Sequence, residues 1–108
     1  MSSDYAAVAR EAAKYRGLIS SFINRQISAQ EFKSSYLRLF KNEKGLGLSV
    51  EFDILEELFT DADGYVADPE YRKYLRSKGP ESRKLFPAFD EEELRDRARE
   101  AYRKLYET

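Results

Sequence analysis

Two residue types that carry much of protein chemistry are missing from this chain of 108 residues. Because it has no cysteine, disulfide bonds, thiol nucleophiles and zinc–thiolate sites are excluded. Because it has no histidine, the commonest general base, the commonest metal ligand and every Ser–His or Cys–His pair are excluded too. Catalysis would have to depend on carboxylates, lysine or tyrosine. We therefore expect a protein that is not an enzyme and that holds no metal or other cofactor.

Other scarcities bear on the fold class. Five glycines and three prolines are too few for a strand-rich fold with many tight turns. No apolar run approaches the roughly 18 residues of a membrane span, and the N-terminus lacks the pattern of a secretory signal. The length fits one domain over residues 1–108. We expect a cytoplasmic protein that is monomeric when free.

Apolar residues recur at helical spacing along most of the chain. The first stripe predicts a helix from about Asp4 to Asn24. It consists of Tyr5, Val8, Ala12, Tyr15, Ile19 and Phe22. Later stripes comprise Phe32, Tyr36, Leu39 and Phe40, then Phe52, Leu55, Leu58, Phe59 and Ala62, and finally Leu94, Ala98, Ala101, Tyr102 and Leu105. Four amphipathic helices predict an all-α antiparallel four-helix bundle, with an additional short helix before the last one.

Capping residues mark where these helices begin. Ser28 with Glu31, and Asp90 with Glu93, form the capping boxes of the second and last helices. Ser49 is the predicted N-cap of the third helix. Three further boundaries come from glycine and proline. The second helix is expected to end near Gly45 or Gly47, Asp68-Pro69 to open the short helix through Leu75, and residues 77–88 to form a loop.

Charge is strongly segregated although the totals, 19 basic and 20 acidic residues, nearly cancel. Between Lys44 and Arg72 there is no basic residue but there are eight acidic ones. These are Glu51, Asp53, Glu56, Glu57, Asp61, Asp63, Asp68 and Glu70. The rest of the chain has 19 basic and 12 acidic residues. Such a distribution creates a directional field that attracts a partner with a positive cleft, most naturally a protein that handles nucleic acid.

The helical period predicts that most of this block points away from the core. Asp53, Glu57, Thr60, Asp61 and Gly64 share the outward side of the third helix, flanked by Glu56 and Asp63. The block lacks the interleaved lysines that usually balance a solvated helix. Its like charges at positions 53, 57 and 61 repel one another. A binding role would explain that cost, whereas the simpler alternative is a solvated surface.

Three other interpretations have weaker support. Asp61, Asp63, Gly64 and Glu70 match an EF-hand calcium loop at four positions, but Phe59 stands where the first ligand belongs. Paired carboxylates could serve a metal-dependent enzyme, which would need a concave pocket. A basic cluster could contact phosphates, with Tyr71, Tyr74 and Phe86 nearby for stacking. It consists of Arg72, Lys73, Arg76, Lys78, Arg83 and Lys84. We interpret the cluster as balancing the acidic block, and expect no direct nucleic-acid binding.

Three stretches resemble one family. Residues 27–43 read ISAQEFKSSYLRLFKNE, residues 52–68 read FDILEELFTDADGYVAD, and residues 90–94 read DEEEL, followed by Arg95. Together they resemble the bacterial colicin D-type immunity proteins, which include immunity partners of contact-dependent growth-inhibition toxins. The likeness covers about residues 20–105, and its most specific part is the string from Glu57 to Tyr65. Gly64 within that string and a longer basic loop before the last helix are departures from the family's pattern.

The resemblance implies a four-helix bundle that binds a cognate toxin, typically a tRNA-cleaving nuclease, and blocks its active site. It implies that acidic side chains occupy the positive cleft in place of RNA phosphates, with Tyr65 as an aromatic contact. With Asp53 added from the helical period, the candidate toxin-binding residues are Asp53, Glu56, Glu57, Asp61, Asp63, Tyr65 and Asp68. The alternative from another class is an acidic adaptor or regulatory protein whose partner is not a toxin.

Overall fold

The computed structural model describes residues 2–85 and 87–107, with the side chains of residues 2–5, 82, 83 and 85 outside the description. Its helices are α1 (Ser2–Ile23), α2 (Ala29–Lys41), α3 (Val50–Asp63), α4 (Pro69–Arg76), α5 (Pro80–Leu85) and α6 (Glu91–Tyr106). The all-α prediction is confirmed. Within these residues, the one strand-like pairing is an isolated bridge between Tyr65 and Phe89. None of the helices described is long and apolar enough to cross a membrane.

The predicted helix starts are confirmed by capping hydrogen bonds. Ser28 and Asp90 each head a complete capping box. The Ser49 side chain accepts a 3.0 Å hydrogen bond from the backbone N–H of Phe52. Asp68 caps α4, whose first residue is Pro69. These signals are local because each depends on side chains within one helical turn of the backbone groups they satisfy.

Two predicted boundaries are wrong. Helix α2 ends at Lys41, because Asn42 caps it: the Asn42 side chain donates to the Arg38 carbonyl at 3.0 Å. Gly47 does adopt a left-handed φ of +57°, but within the connection to α3 rather than at the helix end. The segment 77–88, predicted as a loop, contains the six-residue helix α5. The proline at its start permits this, since proline is well suited to the first helical turn.

The core lies between the four longer helices. Helix α1 contacts α6 and α2, and α3 contacts α2 and α6. The rings of Phe22 and Phe32 stack with centroids 4.4 Å apart, and the buried Tyr36 hydroxyl donates to the Leu55 carbonyl at 2.6 Å. Most of the predicted core is buried or packed against it, while the Tyr5 side chain lies outside the described residues. This packing leaves one side of α3 facing solvent.

Candidate functional site

The solvent-facing side of α3 carries a group of carboxylates that we call the acidic surface: Asp53, Glu56, Glu57 and Asp63. All four side chains are exposed, whereas Leu55, Leu58 and Ala62 are buried on the opposite side. The helical period therefore predicted the orientation of this group correctly. Thr60, which was also predicted to point outward, is exposed as well.

Salt bridges within the described residues do not involve the acidic surface. Within residues 2–85 and 87–107, none of the eight carboxylates between Lys44 and Arg72 forms a salt bridge. The acidic residues of α6 are different, because all of them are paired. The pairs are Glu91 and Glu92 with Arg95, Glu93 with Arg76, Asp96 with Arg99, and Glu100 with Arg103. The two helices thus differ: the carboxylates of α6 form salt bridges within the protein, and those of α3 do not, which leaves the charge of α3 available to an external partner.

Asp61 does not point away from the core as predicted. Its side chain is half-buried and lines a groove of about 100 Å³ between α3 and α6, together with Arg97 and Lys104. Burial raises the pKa of Asp61, the Arg97 guanidinium opposes the shift, and the neighbouring Glu57 carboxylate adds to it. The prediction failed because α6 packs along this side of α3, which the spacing within α3 cannot reveal.

Tyr65 lies just beyond α3 and is only partly accessible. Its carbonyl accepts a hydrogen bond of 3.2 Å from the Lys33 ammonium, which also bonds the Asp63 carbonyl at 3.4 Å. Lys33 thereby places a positive charge at the C-terminal end of α3, where the helix dipole favours it. Burial raises the pKa of the Tyr65 phenol. The Tyr65 side chain lines a groove of about 300 Å³ with Tyr71, at the end of the acidic surface.

Asp68 has a local structural role as the N-cap of α4. Its Oδ1 accepts a 2.9 Å hydrogen bond from the backbone N–H of Glu70, as an N-cap should. The side chain is nevertheless exposed. The structure therefore places Asp53, Glu56 and Glu57 along one helix side, with Asp63 at its end. Asp68 lies in the connection that follows, at the start of α4.

Two arginines of the basic cluster contact backbone carbonyls of the connecting segments. Arg72 donates to the Val66 carbonyl at 3.2 Å, and Arg76 donates to the Ala88 carbonyl at 3.0 Å and pairs with Glu93. The two arginines thus stabilise connecting segments, and among the described residues neither forms a salt bridge with the acidic block. The Lys78 ammonium lies 4.7 Å from the centre of the Tyr74 ring. The Arg83 side chain and Phe86 lie outside the described residues.

The partial EF-hand match does not form a calcium loop. Helix α3 continues through Asp63 and α4 begins at Pro69, so Asp61 and Asp63 lie in a helix, where the loop would need irregular backbone. In the part of the chain that the structure describes, no three acidic side chains are grouped as metal ligands.

Two features of the structure were missed by the sequence reasoning. Arg95 is 2% exposed and belongs to the core. Leu48 and Val50 are apolar yet project into solvent just before and at the start of α3. The only sequence signal for the latter pair is that both fall outside the predicted core stripe of α3.

Comparison with known families gives a match. Residues 11–105 match the family described as bacterial self-protective colicin-like immunity. The chain belongs to this family. Membership implies a toxin-neutralising immunity protein, and the resemblance in the sequence is confirmed at this level. No curated protein and no solved structure matches the chain.

Proposed function

We propose that this immunity protein binds the catalytic domain of a tRNA-cleaving toxin and covers its basic active-site cleft with the acidic surface. The supporting observation is the contrast between α3 and α6: the carboxylates of α6 are paired internally, and those of the acidic surface are not. A cleft that binds RNA carries cations for phosphates, and these cations would supply the missing counter-charge.

The geometry of α3 suits this task. Asp53 and Glu57 are four residues apart, which is about 6 Å along the helix axis, and Glu56 extends the charge to one side. This produces a row of negative charge on a rigid support, as a nucleic-acid backbone does. A row of this kind accelerates encounter with a basic cleft by electrostatic steering. Once the complex has formed, the carboxylates would occupy positions that RNA phosphates need.

Several general properties of the protein follow from this proposal. The protein would act by binding and not by catalysis, as a single domain and a free monomer, without contacting nucleic acid itself. It would act in the cytoplasm, where tRNA is found. We also propose that its four longer helices form an antiparallel bundle. The contacts of α1 with α2 and α6, and of α3 with α2 and α6, support that arrangement.

Co-expression tests the proposal. An immunity gene is expected directly downstream of its toxin gene, so the probe is the protein encoded immediately upstream. Cells that express this probe should survive only when the immunity protein is present, and their tRNA should stay intact. Equal survival without the immunity protein, or killing that leaves tRNA uncut, would contradict the proposal. The first outcome would instead favour an acidic adaptor whose partner is not a toxin.

A further inference from the structure

Two apolar side chains project from the end of α3 into solvent. Leu48 and Val50 have relative exposures of 107% and 70%, the highest among the large apolar residues that the structure describes. Leu46, two positions earlier, is only 2% exposed. Hence the chain turns one leucine into the core and the next one outward.

The connection that presents Leu48 is fixed from the α2 side. The Glu43 carboxylate accepts a hydrogen bond from the Tyr15 hydroxyl at 2.6 Å and another from the Gly45 backbone at 2.8 Å. Gly45 lies so close to α1 that a Cβ there would be 2.4 Å from the Glu11 side chain. The buried Leu46 then anchors the segment in the core.

The connection that presents Leu48 is also fixed at its α3 end. Gly47 takes the left-handed φ of +57° that turns the chain, and Ser49 caps α3 through its 3.0 Å bond to Phe52. Leu48 lies between these two constrained residues. A side chain held outward by a constrained backbone loses less conformational entropy on binding than one on a loose loop.

Val50 joins this apolar pair to the acidic surface. Residues 50, 53 and 57 are spaced by three and four, so Val50, Asp53 and Glu57 lie on one side of α3. The exposed side of the helix therefore begins with two apolar side chains and continues with carboxylates.

We propose that Leu48 and Val50 insert into an apolar recess at the edge of the toxin's basic cleft. This inference rests on the proposed function and adds the short-range contact that holds the complex after electrostatic encounter. The adjacent carboxylates identify the occupant. A second copy of this chain would bring its own acidic surface against them, and an anionic membrane would be repelled, whereas a basic protein surface is complementary. In an interface, a few side chains packed into fully desolvated pockets carry most of the binding energy.

The test uses the double variant Leu48→Asn with Val50→Asn. Both side chains are exposed, so the melting temperature should be unchanged. Binding is measured to a catalytically inactive form of the protein encoded immediately upstream. We expect Kd to rise at least about ten-fold, mainly through faster dissociation, with the salt dependence of association unchanged. Leu48→Met should retain wild-type binding because it keeps the apolar volume.

The control is Tyr74→Asn, which removes a side chain of 54% exposure on α4 that does not line the groove of Tyr65. It should bind as the wild type does, and an equal loss of binding in this control would contradict a localised contact.

A wild-type Kd for the Leu48/Val50 variant would overturn the inference. The inference would also fail if the free protein formed a dimer that Leu48→Asn dissociates, because a second copy of the chain would then cover Leu48 and Val50. When the Leu48/Val50 variant binds as the wild type does, the variant Asp53→Lys with Glu57→Lys separates two conclusions. If that charge variant weakens binding, only this inference fails. If it also binds as the wild type does, the proposed function fails as well.

Discussion

The Arg95 guanidinium lies 4.7 Å from the centre of the Phe22 ring, and its Nε donates a 3.0 Å hydrogen bond to the Phe22 carbonyl. One buried side chain thus binds the C-terminal end of α1 to α6. Glu92 extends the contact, because it pairs with Arg95 and accepts two hydrogen bonds from Arg25 at 2.6 and 2.9 Å. Arg95 lies outside the acidic surface, which allows stability and binding to be tested separately.

Truncation of Arg95 should destabilise the fold. Arg95→Ala removes the packing over Phe22 and leaves the Phe22 carbonyl without this donor. The carboxylates that paired with Arg95 become hydrated instead. We expect a loss of about 2–4 kcal/mol in the free energy of unfolding, measured by urea denaturation. Arg103→Ala is the control because its pair with Glu100 is exposed, and it should change stability little. Equal effects of the two variants would contradict a structural role for Arg95.

The ionised Asp61 carboxylate should destabilise the folded protein at neutral pH. Its folded-state pKa is raised, chiefly by burial, so the folded protein holds this proton more tightly than the unfolded chain does. Stability therefore falls as pH rises from the ordinary aspartate range, near pH 4, through the raised pKa. Asp61→Asn should raise the melting temperature at pH 7, and the gain should vanish toward pH 4. Glu56→Gln, at an exposed position, should change it little. A gain that does not depend on pH would contradict this cause.

Alkaline pH should unfold the protein through its buried tyrosines. Burial raises the pKa of Tyr15 and Tyr36, and the Glu43 carboxylate reinforces the shift at Tyr15. Groups with raised folded-state pKa values stabilise the fold below their ordinary range and lose that contribution as pH rises above about 10. Absorbance at alkaline pH should show a fraction of the eight tyrosines ionising only together with the loss of helical circular dichroism. Full ionisation of a folded protein would contradict this expectation.

Calcium should have no effect on the fold. The residues that match an EF-hand lie partly within α3, and their backbone cannot form the required loop. The melting temperature should be the same with calcium and with EDTA. A clear rise on adding calcium would restore the calcium interpretation.

The sequence reasoning was most successful where structure is determined locally. Ser28 with Glu31 and Asp90 with Glu93 satisfy backbone groups within one turn, so the order of residues is sufficient to predict them. The exposed side of α3 was also predictable, because the helical period places Asp53 and Glu57 opposite Leu55.

The remainder depends on tertiary contacts. Asp61 is half-buried because α6 packs beside it, and Arg95 is buried because its guanidinium reaches Phe22, which is 73 positions away in the chain. The outward position of Leu48 depends on how Glu43 and Leu46 fix the preceding segment. None of these relationships has a signature within a single helix, so periodicity could not predict them.

The central claim is that the acidic surface replaces RNA phosphates in a basic cleft, and the association rate tests it most directly. The variant is Asp53→Lys with Glu57→Lys, since both side chains are exposed, whereas Asp61 is half-buried. A control with the same change in charge is Glu81→Lys with Asp96→Lys, at exposed positions on α5 and α6. Glu91 is unsuitable as a control because its carboxylate accepts a 2.8 Å hydrogen bond from the Ala29 backbone.

Association with the inactive protein encoded immediately upstream is followed by stopped flow at several salt concentrations. Wild type and control should associate fast at low salt and slow down as salt screens the field. The Asp53/Glu57 variant should associate at least about ten-fold more slowly at low salt, lose most of that salt dependence, and fail to protect cells while keeping its helical circular dichroism. A folded Asp53/Glu57 variant that associates at the wild-type rate and protects cells fully would contradict the account.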